Sequence, residues 1–322
     1  MLSMLHVLAH QGQPPAPHDV WTAWNLDPLL VGGLVLAVWA YRRGDSRHQH
    51  ARYAGLRRAC FTGAVAVLAV ALVSPLDAMS TALASAHMVQ HMLLILIAAP
   101  LLALAAPASV ITRGIPPEVH RAVIRWRRRT RLTPTTLRFL RQPATAWLLH
   151  VGAIWFWHAS GPYDAAVRNQ FVHIAEHLSL LVTGVLFWGV VLGRRSAGRV
   201  WNGLGVLLVF AMAMQSVFLS VLLTFARTPW YSAYHNTTTV WHLDHLADQQ
   251  LAGAIMWVPA GAVYLAAGLY LTVSWISDSE RDTDAPARPS GPPIPSLLTD
   301  RTGTPSATDC LGGGSGDGRS VG

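Results

Sequence analysis

The chain has 322 residues, of which 52% are hydrophobic and only 12% are charged, about half the charged fraction of an ordinary soluble domain. This composition excludes a soluble globular protein and predicts a membrane domain followed by a short tail. All 24 basic residues are arginines that lie mostly between apolar segments, so the net charge of +8 indicates membrane topology and gives no reason to expect a nucleic-acid partner.

Seven apolar segments predict an all-α polytopic membrane protein, a bundle of about seven transmembrane helices in the lipid bilayer. A transmembrane helix needs about 20 mostly apolar residues. The first and fourth segments have short apolar cores, but tryptophans at their ends extend them as interfacial anchors. In chain order the predicted spans are Pro28–Tyr41, Ala59–Leu76, His87–Ala106, Ala144–Trp157, Phe171–Leu192, Gly203–Phe225 and Gln250–Ile276.

The arginines predict the orientation of this bundle. The odd-numbered loops and the C-terminal tail hold 22 of them, whereas the even-numbered loops hold only Arg168 and Arg227. Because basic residues accumulate on the cytoplasmic side, the N-terminus is expected outside and the C-terminus inside. The predicted regions are therefore an extracytoplasmic segment (residues 1–24), the transmembrane domain (25–277) and a disordered cytoplasmic tail (278–322) rich in Pro, Gly and Ser. The first residues lack a basic stretch, so a complete signal peptide is not predicted.

Histidines gather at the outer ends of the predicted helices. The third helix begins with His87 and His91, and the fifth begins with His173 and His177. A spacing of four residues places both members of each pair on one helix face, about one turn apart. The fourth helix ends at His158, so three helices bring imidazoles to the same depth.

This clustering predicts a metal site that uses these five histidines as ligands. Ionisable side chains are costly within a membrane and usually functional there, and neutral imidazole is the commonest metal ligand. Imidazole ligands suit copper, zinc, iron and nickel. Met88 and Met92 could add sulfur ligands that favour copper(I), although methionine in a membrane helix more often serves packing. The residues alone leave copper and zinc open.

Two other functions compete with metal storage or delivery. His173 to His177 has the H-x-x-E-H pattern of some metalloproteases, so Glu176 or an aspartate could be the base of an intramembrane zinc hydrolase. Alternatively, Glu176 orients a neighbouring histidine. A copper transporter would need polar groups through the whole membrane, whereas few besides His150 and Gln215 lie deep. Haem is disfavoured because two histidines one turn apart on one helix cannot be opposed axial ligands.

Several motifs in a shared order resemble the CtaG family of cytochrome c oxidase assembly factors, which are multi-spanning, copper-associated bacterial membrane proteins. The resemblance covers about His10 to Trp275. The motifs are Pro17-His-Asp-Val-Trp21, Ser74-Pro-Leu-Asp77, His87-Met-Val-Gln-His91, Ala99-Pro-Leu-Leu102, Trp155-Phe-Trp-His158, Pro162-Tyr-Asp-Ala-Ala166, His173-Ile-Ala-Glu-His177, Leu186-Phe-Trp188, Asp248-Gln-Gln-Leu-Ala-Gly253 and Met256-Trp-Val-Pro259.

The resemblance implies a non-enzymatic role in maturing a haem-copper oxidase, by delivering or arranging copper in the bacterial plasma membrane. It implies oxidase subunits as partners and leaves the oligomeric state unknown. Carried over onto this sequence, the matching residues are the five histidines together with Asp77, Asp164 and Asp248. His242 and His245 are additions of this chain and are weaker candidates.

Overall fold

The computed structural model describes residues 15–18, 20–45, 54–107, 110–111, 118, 121–122, 124–125, 134–192 and 199–284. These residues form α-helices and short 3₁₀ turns, and they contain no β-strand. The helices are α1 (Pro28–Asp45), α2 (Ala54–Leu72), α3 (Pro75–Ser80), α4 (Ala84–Ala105), α5 (Pro134–Leu140), α6 (Pro143–His158), α7 (Ser160–Arg168), α8 (Gln170–Leu192), α9 (Arg199–Thr224) and α10 (His245–Asp284). The 3₁₀ turns are Val20–Thr22, Ser232–Tyr234 and Thr238–Trp241.

Five of these helices are long and apolar enough to cross a membrane, so the predicted all-α, multi-pass fold is confirmed at that level. Their apolar stretches are Ala54–Leu72, Ala84–Ala105, Gln170–Leu192, Gly203–Thr224 and His245–Ser277. The first and fourth predicted spans fall outside this set for different reasons. Helix α1 ends in a charged stretch that contains Arg42, Arg43 and Asp45. Helix α6 has 16 residues and so extends for only about 24 Å. The count of seven stays a prediction.

The compact unit that contains the described helices ends at Thr283. Helix α10 continues to Asp284 and therefore enters the segment that the sequence assigned to the tail. The remainder of the predicted tail, residues 285–322, and most of the predicted N-terminal segment, residues 1–14, lie outside the described residues.

Short polar side chains cap the starts of four of the helices. Asp27, Ser74, Asn169 and Asp244 each stand just before a helix and accept a hydrogen bond from a backbone N–H of its first turn. These bonds satisfy amides that have no partner within the helix. Helix α4 differs, because the preceding Leu83 supplies no side-chain cap.

Helix α4 contains a π-helical stretch, Leu93–Ala98, just after its two histidines. The amide of Ala99 bonds to the carbonyl five residues earlier, and Pro100 has no N–H to donate. The carbonyl of Ile95 is therefore left without its usual helical partner. Trp188 of α8 donates its indole N–H to this oxygen at 3.0 Å, which ties α8 to α4.

The main hydrophobic core surrounds α4 and α8. Buried side chains from α4, α6, α8, α9 and α10 form it, including Ile154, Leu180 and Met212. A second, smaller cluster lies where α1 and α2 meet the C-terminal end of α4, and there the rings of Tyr41 and Phe61 stack with centroids 3.8 Å apart. Because α4 is the most buried of the five apolar spans, its polar side chains can be kept away from lipid.

Candidate metal centre

The five histidines predicted as ligands lie together at one end of the bundle. His87 and His91 lie on the first turns of α4, His173 and His177 on the first turns of α8, and His158 is the last residue of α6. Neighbouring rings have centroids 4.1–5.8 Å apart. Spacing along each helix explains the pairs, and packing of the three helices brings the pairs together.

Four side chains form an inner set that could hold one ion: His87, His91, Glu176 and His177. Their candidate ligand atoms lie within 4.8 Å of one another, and all four residues are buried. His87 Nε2 is 2.9 Å from His91 Nε2 and 3.2 Å from Glu176 Oε2. His91 Nε2 is 3.4 Å from Glu176 Oε1. A tetrahedral ion with bonds of about 2.0–2.2 Å keeps its ligand atoms roughly 3.3–3.6 Å apart, so the inner set has about the right size.

Two flanking histidines, His158 and His173, lie beside the inner set. The ring of His158 is 5.8 Å from that of His91, and the ring of His173 is 4.1 Å from that of His177. His158 Nδ1 donates a hydrogen bond to the carbonyl oxygen of Ile154 at 2.7 Å. This bond places the ring proton on Nδ1 and leaves the Nε2 lone pair free, as metal ligation requires.

The cluster contains buried polar atoms that a cation would satisfy. Within the described part of the chain, the Nε2 atoms of His158, His173 and His177 have no hydrogen-bond partner. An unpaired buried polar atom costs about 1–3 kcal/mol, and an uncompensated buried carboxylate costs more. Glu176 is fully buried among imidazoles, which are uncharged when they act as ligands. The donor set therefore fits a metal ion.

Asp248, on the first turn of α10, supplies the N-terminal cap that α4 lacks. One carboxylate oxygen accepts a hydrogen bond from the amide of Ala84 at 2.7 Å. The other accepts bonds from the amide of Ser85, at 3.2 Å, and from its hydroxyl. A carboxylate in this position satisfies free amides and interacts favourably with the helix dipole. Asp248 thus positions the turn that carries His87.

Asp77 supports the same helix from α3. Its Oδ1 accepts a hydrogen bond from the side-chain amide of Gln90 at 2.8 Å, and its Oδ2 accepts one from Asn25 at 2.7 Å. Gln90 lies on α4 between His87 and His91. Its bond to Asp77 therefore restrains the rotation of α4 about its axis.

Asp164 holds the loop that covers the cluster. On α7, it accepts hydrogen bonds from the amides of Ser232 and Ala233 at 3.1 and 3.0 Å. The next residue, Tyr234, has its hydroxyl 3.2 Å from His87 Nδ1. None of the three predicted aspartates belongs to the inner set; each holds a segment next to it instead.

The remaining predicted residues have different surroundings. Met88 and Met92 each follow a histidine by one position, so they point about 100° away around α4. Both pack in the main hydrophobic core. His242 is exposed and has a left-handed backbone, with φ of 55°. His245 Nε2 lies 2.8 Å from the carbonyl oxygen of Tyr231 and bonds to it.

Sequence reasoning missed the tyrosines around the cluster. Three of the seven tyrosines of the chain lie here: Tyr163, Tyr231 and Tyr234. The ring of Tyr163 is 5.0 Å from that of His87 and stacks on Tyr231 at 3.8 Å. The one available signal was the presence of two tyrosines three residues apart in a loop that also contains histidines.

The fold and the site together define a multi-pass membrane protein with a buried cluster of metal-ligand type at one end of its helices. Residues 34–278 match the family described as cytochrome c oxidase caa3 assembly factor (Caa3_CtaG). The chain belongs to this family, and the resemblance inferred from its motifs is confirmed. The matched region includes the inner set and both flanking histidines.

Comparison with curated proteins found relatives in mycobacteria. Uncharacterized proteins of Mycobacterium bovis and Mycobacterium tuberculosis are each 28% identical over 281 residues. An uncharacterized protein of Mycobacterium leprae is 25% identical over 280 residues. Each alignment covers 84% of this chain but only 42% of the relative, so the chain spans less than half the length of these proteins. Comparison with solved structures gave no significant match.

Proposed function

We propose that this protein is an assembly factor for a haem-copper cytochrome c oxidase that binds copper as cargo through the inner set and passes it on. The observation that carries the proposal is the buried group of His87, His91, Glu176 and His177, with His158 and His173 beside it. Membership of the caa3 assembly factor family supports the oxidase as the recipient. Oxidase subunits are the proposed partners, and no reaction catalysed by the protein is part of the proposal.

Copper is the proposed cargo rather than zinc because the recipient is a copper enzyme and imidazole ligands suit copper well. Delivery also requires that an ion enter and leave. The six donors of the inner set and the flanking histidines exceed the four that a tetrahedral ion uses. His158 and His173 can therefore exchange with inner ligands, so that the ion keeps a full set of ligands while it moves.

The proposed topology has seven spans, with the N-terminus and the cluster on the outer face of the bacterial plasma membrane. Helices α4 and α8 begin at the cluster. The arginines of α1 and α2 lie near the opposite end of α4, where Tyr41 and Phe61 pack beside Ala105. Under the positive-inside rule this arginine-rich end is cytoplasmic.

Metal binding by the purified protein tests the proposal. The test variant replaces His87, His91, His173 and His177 with alanine, and the matched control replaces His242 and His245, which lie on another segment. We expect the wild type and the control to retain copper(I) against a chromogenic chelator and the quadruple variant to lose it. Copper retention by the quadruple variant at the wild-type level would exclude this site. In cells, deletion should abolish oxidase activity while haem content stays normal.

Glu176 favours one alternative, an intramembrane zinc hydrolase in which this carboxylate is the base. Its two oxygens lie 3.2 and 3.4 Å from histidine nitrogens. A carboxylate that is itself a metal ligand would lie at similar distances from the other ligands, so these distances fit either role. Glu176→Gln separates the two functions. A hydrolase would lose activity and keep its metal, whereas the proposed copper site would bind copper more weakly.

Copper transport gains no support from the deeper polar residues. His150 Nδ1 lies 3.0 Å from the hydroxyl of Thr183, and Gln215 accepts a hydrogen bond from the indole of Trp155 at 2.9 Å. Each of these two contacts joins neighbouring helices.

A further inference from the structure

Tyr234 is a buried side chain outside the proposed ligand set that nevertheless contacts one of its histidines. Its hydroxyl donates a hydrogen bond to the carbonyl oxygen of Ser80 at 2.8 Å. The phenolic oxygen of Tyr234 also lies 3.2 Å from His87 Nδ1. Tyr234, Ser80 and His87 are all fully buried, so water does not compete for these bonds.

The single phenolic hydrogen determines the direction of the second bond. The phenol of Tyr234 keeps its hydrogen at neutral pH, as an ordinary tyrosine does. That hydrogen is donated to Ser80, and the phenol can offer only a lone pair to His87. His87 Nδ1 must therefore carry the imidazole proton, and its N–H donates a hydrogen bond to the phenolic oxygen of Tyr234. The lone pair of His87 is consequently on Nε2, the atom that faces His91 and Glu176.

The loop around Tyr234 is held in place on both sides. Before Tyr234, the amides of Ser232 and Ala233 donate to Asp164 of α7. After it, the hydroxyl of Thr237 donates to the carbonyl oxygen of Ala82 at 2.7 Å. The phenol is thus fixed relative to the start of α4 rather than carried by an unsupported loop.

We propose that Tyr234 is a positioning residue of the metal centre, which sets the tautomer and ring orientation of His87 so that Nε2 points its lone pair at the ion. The inference rests on the proposed copper-binding function and deepens it by naming a determinant of affinity outside the ligand set. Residues that hydrogen-bond to the distal nitrogen of a ligand histidine commonly contribute about 10- to 100-fold to metal affinity. Tyr234→Phe removes the hydroxyl and keeps the ring.

The first measurement is the affinity of the full-length protein for copper(I), by competition with a chromogenic chelator. We expect Tyr234→Phe to bind about 10- to 100-fold more weakly than the wild type. The matched control is Tyr264→Phe, which removes a buried phenol from α10 where the ring packs against Trp188. Tyr264→Phe should bind copper as the wild type does. Equal affinity of Tyr234→Phe and wild type would overturn the inference.

A double-mutant cycle with His87→Ala distinguishes an effect of Tyr234 on His87 from a merely structural role. If Tyr234 acts through His87, adding Tyr234→Phe to His87→Ala should change the residual affinity less than twofold. A loss as large as in the wild-type background would overturn the inference.

The second measurement needs no metal. Nitrogen-15 NMR of histidine-labelled protein, with the His87 signals assigned from the His87→Ala spectrum, should show Nδ1 protonated in the wild type and a changed tautomer population in Tyr234→Phe. If the wild type binds no copper, the proposed function fails; the tautomer measurement still decides whether Tyr234 controls His87. An unchanged His87 tautomer in Tyr234→Phe would overturn the inference.

Discussion

Replacing Asp248 with alanine removes the only cap that α4 receives within the described residues. Asp248 accepts three hydrogen bonds from Ala84 and Ser85, two of them from backbone amides. The substitution leaves those two buried amides without an acceptor, at about 1–3 kcal/mol each. We therefore expect the free energy of unfolding to fall by about 2–6 kcal/mol, a large effect for one substitution. Unfolding of the detergent-solubilised protein in an SDS titration, followed by circular dichroism, measures it.

Asp244→Ala is the matched control for this measurement. Asp244 also caps a helix, since its carboxylate accepts bonds from the amides of Leu246 and Ala247 at the start of α10. Asp244 is exposed, so water replaces the lost bonds and the expected cost is about 1 kcal/mol. If Asp248→Ala were no more destabilising than Asp244→Ala, the assignment of Asp248 as a buried cap would be refuted.

Two further changes test packing and metal binding. In Gly253→Ala the new Cβ would lie 2.7 Å from the backbone nitrogen of Thr224, so α9 and α10 must move apart and we expect a loss of about 1–3 kcal/mol in the free energy of unfolding. The control is Gly261→Ala on the same helix, where the new Cβ would meet open space, and it should raise the free energy of unfolding by about 0.5–1 kcal/mol. Equal shifts in the melting temperatures of the two variants would contradict this explanation. Copper added at 100 times its Kd should stabilise the wild type by about 2.7 kcal/mol until a chelator removes it. A chelator effect of the same size in the quadruple histidine variant would argue against a specific site.

Local spacing predicted the parts of the site that depend on one helix at a time. His87 and His91 share a face because they are four residues apart, and the same holds for His173 and His177. The apolar segments predicted an all-helical membrane protein for a similarly local reason. The first and fourth spans were harder to predict as membrane-crossing helices. The charged end of α1 and the length of only 16 residues of α6 make each of them marginal by composition or length.

Contacts between distant parts of the chain could not be predicted in this way. Tyr234 meets His87 across 147 residues, and Asp248 meets Ala84 across 164. A tyrosine in a loop has no spacing that indicates a partner, and an aspartate near a helix start is normally assigned to its own helix. The π-helical stretch also escaped prediction, because it depends on the joint effect of Pro100 and an indole from α8.

The supports of the proposed site converge on one helix. Tyr234 bonds to His87, Asp77 bonds to Gln90 and Asp248 caps the first turn, so each of them acts on α4. The other half of the inner set lies on α8, and a small displacement of α4 would change the distances between the two halves. Stability and metal affinity should therefore fall together in Asp248→Ala. In Gly253→Ala the disturbed contact joins α9 to α10, and neither of these helices contributes a side chain to the inner set, so stability should fall much more than copper affinity does.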